Sequence, residues 1–262
     1  MSKIDKILVP TDFSSAAESA VTYANNFTEG DGSIEITLLY ISESPLDEED
    51  QSALEVKLHA LKDRFLPALK SSCQCVVRSG SLTETILTMQ KETGADLIIM
   101  GTKGASEEGE PAISRTSELV LEADCAVLVV PENTDTFTVQ NIALALGKNE
   151  IDDSFALGTL HDVARKFGAK VHILTINNEE GAMVTEDKNE SILEYYLETL
   201  HYHHVFPKNT DIEKGIFDYV REKNIDMLAI LPRNHAKKSK PSEGRLTRLL
   251  TLHTEVPLLT ID

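Results

Sequence analysis

The chain has 262 residues, of which 43 are acidic and 25 basic, giving a formal net charge of −18 with 41% hydrophobic residues. This length suits two domains of about 130 residues each, and the composition is typical of a folded globular protein rather than a disordered one. The acidic balance disfavours polyanionic partners, so we expect neither nucleic acid nor an anionic membrane as a partner.

The lack of a recognisable targeting signal and the small number of cysteines favour a cytoplasmic location. No stretch approaches the roughly 20 apolar residues of a membrane-spanning helix, and the opening MSKIDKILVP has the pattern of a strand rather than of a secretion signal. The three cysteines are too few for a disulfide framework. We expect Cys73 and Cys75 on opposite faces of a strand, and their spacing is not that of a zinc site. The sequence therefore predicts a cytoplasmic protein without a metal site.

In chain order, short apolar runs alternate with longer stretches of helical periodicity. The strand patterns of the first half lie at Ile7–Pro10, Ile34–Ile41, Cys75–Arg78, Asp96–Met100 and Ala126–Val130. Helical patterns between them run over Ser15–Phe27, Glu49–Leu69, Ser81–Thr93 and Ser114–Ala123. Ser81 and Glu84 have the spacing of a capping box at the start of the third helix.

The second half of the chain repeats this order. Its strand patterns lie at Ile142–Leu146, Ala169–Ile176, Ile225–Leu231 and Val256–Ile261, and a helical pattern covers Asp153–Phe167. The matches to strands two, four and five occur at offsets of 135, 130 and 131 residues. The polar segment from Pro131 to Thr138 is expected to be the linker. We predict a tandem duplication with domains at residues 1–133 and 138–262.

Strands that alternate with helices favour right-handed crossovers and parallel sheets. The predicted fold class is α/β, with two tandem doubly wound domains, each a five-stranded parallel sheet of strand order 3-2-1-4-5. In such a sheet, ligands bind outside the carboxyl ends of the strands, at the switch point between strands one and four. The residues that follow Pro10 and Met100 are therefore the candidates for function.

The residue types at this switch point suit an adenine nucleotide. The Asp12 carboxylate could accept hydrogen bonds from an adenine amino group or from ribose hydroxyls. Gly101 and Gly104 would let the backbone approach a phosphate, which the N-terminus of the following helix also favours. Lys103 and Arg115 would add positive charge. Each feature has a plainer explanation, because the aspartate could simply cap the first helix and the glycines could simply form a turn.

Three motifs in this order resemble the universal stress protein family: VPTDFS at residues 9–14, GTKG at residues 101–104, and TSELVL before CAVLVV at residues 116–130. The resemblance extends over two copies, strong in residues 1–132 and weaker in residues 138–262. It implies an adenine-nucleotide alpha-hydrolase-like fold and a regulatory or binding role in stress adaptation. Because family domains pair through their fifth strands, it also implies an intrachain pseudo-dimer and a homodimer.

Nucleotide-binding members of that family carry two glycines separated by two residues, then nine residues, then Gly followed by Ser or Thr. Gly101 and Gly104 match the first pair, whereas Ser114 and Arg115 stand at the later positions. Asp12 matches the family's adenosine-contacting aspartate. The nucleotide-binding residues that the resemblance implies are Pro10, Thr11, Asp12, Ile41, Met100, Gly101, Lys103, Gly104, Ser114, Arg115 and Thr116.

The second half departs further from the family pattern. Gly147 stands where Asp12 would, and Leu231-Pro232-Arg233-Asn234 replaces the glycine loop. We therefore predict that ATP or another adenine nucleotide binds in the first half only.

Two other functions stay open. The missing third glycine favours a nucleotide-free interaction protein. A slow ATP hydrolase is the second alternative, but the sequence has no nucleophile–base pair and no second carboxylate near Asp12 to hold magnesium. We therefore expect no catalytic residues and no enzymatic activity.

Two clusters in the second half need an interpretation. His201, His203 and His204 could supply two zinc ligands, but we favour solvated strand histidines, since no third ligand stands at a telling spacing. The segment from Arg233 to Arg248 is rich in basic residues. It could bind an anion or an acidic loop, although a solvated lysine-rich loop is the simpler interpretation.

Overall fold

The computed structural model describes residues 4–65, 73–103, 115–132, 134, 136–147, 156–177, 190–231 and 243–261. The chain forms two compact units, one made of Ile4–Phe137 and another that contains Thr138–Asp262. Among the helices of these described ranges, none is long and apolar enough to cross a membrane.

The first unit is a five-stranded sheet with helices between the strands. Its strands are β1 (Lys6–Thr11), β2 (Glu35–Ser42), β3 (Cys73–Ser79), β4 (Leu97–Thr102) and β5 (Ala126–Pro131). Its helices are α1 (Ser15–Thr28), α2 (Glu48–Phe65), α3 (Leu82–Thr93) and α4 (Arg115–Glu122). The strand order is β3-β2-β1-β4-β5, and the paired strands run parallel. The predicted order 3-2-1-4-5 is confirmed.

Burial explains why these segments form strands and helices. The central strands are apolar on both faces, and Leu8, Ile98 and Val129 are fully buried, as expected for a parallel sheet covered on both sides. Helix α1 packs through small residues such as Ala20 and Ala24, which are also fully buried. At the start of α3, the Ser81 hydroxyl donates to the Glu84 carboxylate at 2.9 Å, and its side chain caps no backbone N–H. The predicted capping box is therefore not formed.

The second unit repeats the same architecture. Its strands are β6 (Asn141–Ala145), β7 (Lys170–Leu174), β8 (Tyr202–Val205), β9 (Met227–Ile230) and β10 (Leu258–Thr260). Its helices are α5 (Ala156–Phe167), α6 (Glu190–Leu197), α7 (Ile212–Glu222) and α8 (Glu243–His253). Within this unit the order is β8-β7-β6-β9-β10, again 3-2-1-4-5 in its own numbering, with parallel pairs.

The two units also share a hydrogen-bonding device at the start of the fourth strand. In the first unit, Asp96 Oδ2 accepts the backbone N–H groups of Asp5 and Lys6 at 2.9 and 3.0 Å. In the second, Asp226 Oδ2 accepts the two N–H groups at the start of β6 at 2.9 and 2.8 Å. Each aspartate thus joins the beginning of its unit's fourth strand to that of its first strand.

A residue with positive φ follows the helix before each of these strands. Gly94 is the C-cap of α3 with φ 66°, and Asn224, one residue beyond the Lys223 C-cap of α7, has φ 49°. Both lie in the left-handed region, which glycine and asparagine tolerate best and which commonly terminates helices. The duplication is therefore visible in local backbone conformation as well as in strand order.

The expectation for Cys73 and Cys75 was wrong. Both residues lie in the continuous strand β3, and each thiol is close enough to influence the pKa of the other, so both side chains lie on one face of β3. The physical reason is the period of two along a strand, which places residues i and i+2 on the same face.

Candidate functional site

The turn after β1 is held by three short-range hydrogen bonds. Thr11 Oγ1 accepts the N–H of Phe13 at 3.2 Å, and Asp12 Oδ1 accepts the N–H of Ser14 at 3.0 Å. Ser14 Oγ in turn accepts the N–H of Ala17 at 3.3 Å and is the N-cap of α1. Asp12 therefore orders the turn and does not cap the helix, which removes the simplest non-ligand role considered for it.

The electrostatic surroundings of Asp12 favour its charged form. Partial burial raises its pKa, but hydrogen bonds from the Ser14 hydroxyl and backbone and the charge of Lys103 outweigh that effect, and the net result is a lowered pKa. The side chain is exposed. An ionised carboxylate has about four acceptor positions, so Asp12 keeps acceptor capacity for a ligand after its bond to Ser14.

An aromatic pair lies beside this turn. Phe13 has φ 62°, and its ring stacks on that of Tyr40, with centroids 5.1 Å apart and planes 23° apart. A bulky residue in the left-handed region is strained, and such strain clusters at functional sites. This pair was not predicted from the sequence. The register that sets Thr11 opposite Tyr40 is what brings the rings together, and the only sequence signal was Phe13 directly after Asp12.

Gly101 is required by the packing of α1 against β4. A Cβ atom at this position would lie 2.0 Å from the carbonyl oxygen of Ala16 and 2.4 Å from its carbonyl carbon. A backbone atom cannot yield to such a contact. The glycine is therefore explained without any ligand, and this explanation differs from the turn geometry considered from sequence.

The remaining predicted site residues have varied surroundings. Gly104 and Ser114 lie outside the described residues. Thr116 is 6% exposed. Pro10 and Thr11 are buried, Ile41 and Met100 are half-buried, and Lys103 is exposed.

Arg115 is engaged by a carboxylate. Its Nη2 lies 2.5 Å from Oε1 of Glu43, which follows β2, and both side chains are 65% exposed. A phosphate would have to compete with this carboxylate for the guanidinium.

A cleft of about 560 Å³ opens where β2 and β3 end and α3 and α4 begin. Its charged lining residues are Arg115 and four glutamates, namely Glu43, Glu84, Glu118 and Glu122. Thr83 Oγ1 donates to Glu118 Oε2 at 2.9 Å. With four carboxylates against one guanidinium, this cleft repels anions more than it attracts them.

The histidine cluster and the basic segment of the second half are only partly as expected from the sequence. His201 is exposed, whereas His203 and His204 are half-buried, and the ring of His203 packs against that of His172 with centroids 4.3 Å apart. Of the basic segment, Arg245 and Arg248 are described, and both are exposed on α8. Pro232 to Lys240 lie outside the described residues. Gly147, at the position equivalent to Asp12, is exposed.

Comparisons with known proteins agree with this architecture. The universal stress protein from Archaeoglobus fulgidus DSM 4304 superposes with a TM-score of 0.74 and 15% identity, over 98% of this chain and 96% of that chain. A protein from Pseudomonas aeruginosa UCBPP-PA14 gives a TM-score of 0.66 at 17% identity, over 98% of this chain and 92% of that chain. At these identities the two structures establish the shared fold.

A universal stress protein in complex with cAMP matches 50% of this chain and 100% of its own, with 18% identity and a TM-score of 0.43. No curated protein matches the sequence significantly. The sequence model of the Universal stress protein family matches residues 3–131, a range that contains the Asp12 turn, Gly101 and Arg115. Through this first half, the chain belongs to the universal stress protein family.

Proposed function

We propose that this protein is a stress-adaptation binding protein that takes one adenine nucleotide per chain, at the Asp12 turn of its first half. The observation that carries the proposal is the Asp12 carboxylate, which is exposed, charged and oriented by the Ser14 N–H at the switch point of the sheet. A carboxylate held in this way is suited to accept hydrogen bonds from ribose hydroxyls or from an adenine amino group.

In the proposed site, the residues near the phosphates are less suited to bind their ligand groups than those near the nucleoside. Arg115 is paired with Glu43, and the neighbouring cleft is rich in glutamates. Lys103 is the cation that acts on Asp12. We therefore expect the nucleoside to contribute most of the affinity, so that adenosine, AMP and ATP bind within about tenfold of one another, a difference of about 1.4 kcal/mol.

Isothermal titration calorimetry with adenosine, AMP and ATP tests the proposal. We expect one site per chain, which Asp12→Ala removes because the ligand's donors then lose their acceptor. The matched control is Asp31→Ala. Asp31 Oδ1 also accepts an N–H two residues ahead, that of Ser33 at 3.2 Å. Because Asp31 precedes β2, it lies near the amino-terminal ends of the strands, whereas Asp12 lies at their carboxyl ends. This control should bind as the wild type does.

A thermal-shift measurement gives an independent readout. A ligand at 100 times its dissociation constant raises the free energy of unfolding by about 2.7 kcal/mol, and Asp12→Ala should lose this gain. The absence of heat and of thermal shift at millimolar nucleotide would reject the proposal. Equal binding by Asp12→Ala and the wild type would place the site elsewhere.

A nucleotide-free interaction protein is the second candidate. The Arg115–Glu43 ion pair favours it, because the one cation among the residues that line the described cleft is already engaged by a carboxylate. If nucleotide binding fails, this candidate becomes the preferred function.

We propose binding without turnover. With magnesium and excess ATP, phosphate release should stay far below the roughly 1 s⁻¹ at the lower end of typical enzymes. Saturable release that disappears in Asp12→Ala would instead establish an ATP hydrolase. The regulatory role in stress, and association into a homodimer, are part of the proposal through the family. Sedimentation at twice the chain mass would support the homodimer.

A further inference from the structure

A pair of thiols lies on the edge strand of the first sheet, two strands away from β1. Cys73 and Cys75 stand opposite Ile36 and Leu38 in the parallel register. Both cysteines are free thiols and partly exposed, they lie two residues apart on one face of the strand, and each influences the pKa of the other. The strand thus holds two sulfur atoms side by side without any change of backbone.

Helix α2 packs over this face and supplies a cation. Lys62 Nζ donates to the carbonyl oxygen of Cys73 at 3.0 Å, and its charge lowers the pKa of both thiols. Burial has the larger effect and, together with the neighbouring Cys75, raises the pKa of Cys73 to about 12. Burial and the charge of Asp63 raise that of Cys75. Free thiolates are therefore scarce at neutral pH, and a ligand of this pair must displace the protons itself.

We propose that Cys73 and Cys75 form a two-coordinate site for a soft monovalent metal ion, for which copper(I) is the biological example. Thiolate sulfur selects soft ions of this kind. Among the described residues, no group of three or more His, Cys, Asp or Glu side chains is placed to hold a metal. Zinc, which requires four ligands in a structural site, is therefore disfavoured.

The binding step balances in charge and protons. Each thiol releases its proton as its sulfur bonds the ion, so one copper(I) ion replaces two protons and the bis-thiolate complex carries one negative charge. No oxidation state changes. The Lys62 ammonium is hydrogen-bonded to the Cys73 carbonyl oxygen and acts electrostatically on both thiols, so it would offset that charge as the outer-shell partner of the site.

Anaerobic titration with copper(I) buffered by a chromophoric chelator tests the proposal on the full chain. The wild type should remove one copper(I) ion per chain from the chelator, with the ultraviolet absorption of a copper–thiolate bond. Cys73→Ser and Cys75→Ser should each weaken binding by more than the roughly 100-fold upper range of an outer-shell substitution. Lys62→Ala should weaken it by about 10-fold. The control is Cys125→Ser, which should bind as the wild type does.

A second measurement on the wild type guards against a variant that fails to fold. Phenylarsine oxide bridges two adjacent thiols by forming two As–S bonds and releasing water, with arsenic staying trivalent. One equivalent should lower the number of titratable thiols in the unfolded chain from three to one, with Cys125 remaining. Copper(I) binding that survives Cys73→Ser and Cys75→Ser, or an arsenical that leaves three thiols, would overturn the proposal. Neither result bears on the nucleotide site.

Discussion

Gly101 lies in β4 against the first turn of α1, and the backbone of that turn leaves no room for a side chain. We expect Gly101→Ala to lower the free energy of unfolding by more than about 3 kcal/mol, because a Cβ atom would collide with the Ala16 carbonyl. The matched control is Gly158→Ala in α5, where a Cβ would meet nothing within 4 Å. Alanine there should stabilise by roughly 0.5–1 kcal/mol. Urea denaturation measures both changes, and equal effects would show that α1 can move away.

His172 is a buried histidine of the second unit whose pKa is strongly lowered. It is 6% exposed, its Nδ1 lies 2.8 Å from the hydroxyl of Tyr219, and its ring contacts His203. Its pKa is lowered from 6.5 to about 4, mainly by burial and also by the nearby His203, Lys170 and Lys223. The folded state therefore resists protonation at a pH where the unfolded chain accepts it.

The sign of the pH effect follows from this difference. Above pH 6.5 both states are neutral at His172, so stability is unaffected, and between pH 6.5 and about 4 only the unfolded state takes up the proton. Stability should fall over this window by up to roughly 3 kcal/mol. His172→Gln should lose this part of the pH dependence. The control His59→Gln, on an exposed residue of α2, should retain it. Denaturation curves at pH 7 and pH 5 measure the change in the free energy of unfolding for each variant. If this change were the same for His172→Gln and His59→Gln, the assignment to His172 would be wrong.

At the scale of elements, each unit uses one aspartate to join the starts of its first and fourth strands. These bonds matter because parallel strands are far apart in sequence, and a wrong register would move every side chain to the other face. The same device appears in both copies although the residues that donate the N–H groups differ between them.

We expect Asp96→Ala and Asp226→Ala each to lower the free energy of unfolding by about 1.5–3 kcal/mol, as for hydrogen bonds to a charged group. A suitable control is Asp124→Ala, whose carboxylate lies 3.5 Å from Lys91 Nζ with both side chains about two-thirds exposed. Such surface pairs contribute only about 0–1 kcal/mol. Chemical denaturation with amide hydrogen exchange at the strand starts tests this. Effects no larger than that of the control would show that the strand ladders alone set the register.

At the scale of the whole molecule, the two copies have the same fold but different switch-point chemistry. The first carries Asp12 and the strained Phe13, whereas the second carries the exposed Gly147 at the equivalent position. The two copies therefore share a fold while their exposed switch-point residues differ, since the sheet depends on buried apolar positions and not on these exposed ones.

We expect this asymmetry to appear as a stoichiometry of one adenine nucleotide per chain. Native mass spectrometry of the full chain should show a single added nucleotide, and Gly147→Ala should leave it unchanged, because the second half supplies no carboxylate at that position. Two additions of equal affinity would contradict the asymmetry and would direct the search to the second switch point.

The sequence by itself determined the order and type of most elements, the duplication, the 3-2-1-4-5 sheets and the place of Asp12. The elements follow from the period of apolar residues, which consecutive residues encode directly. The duplication follows from the repeated order of those elements, and the strand order and the position of Asp12 at the switch point follow from the doubly wound arrangement. The period of two along a strand places Cys73 and Cys75 on one face. The expectation of opposite faces therefore contradicted a rule that the sequence alone was enough to apply.

Only the tertiary structure decided which distant groups meet. The closeness of Gly101 to Ala16, the Arg115–Glu43 pair, the stacking of Phe13 on Tyr40 and the contact of His172 with His203 all depend on strand register or on how a helix lies on the sheet. These positions are set by the packing of the whole unit rather than by neighbours in sequence. That is why the sequence could point to a candidate site at the end of β1 but could not assign the partners of its charged residues.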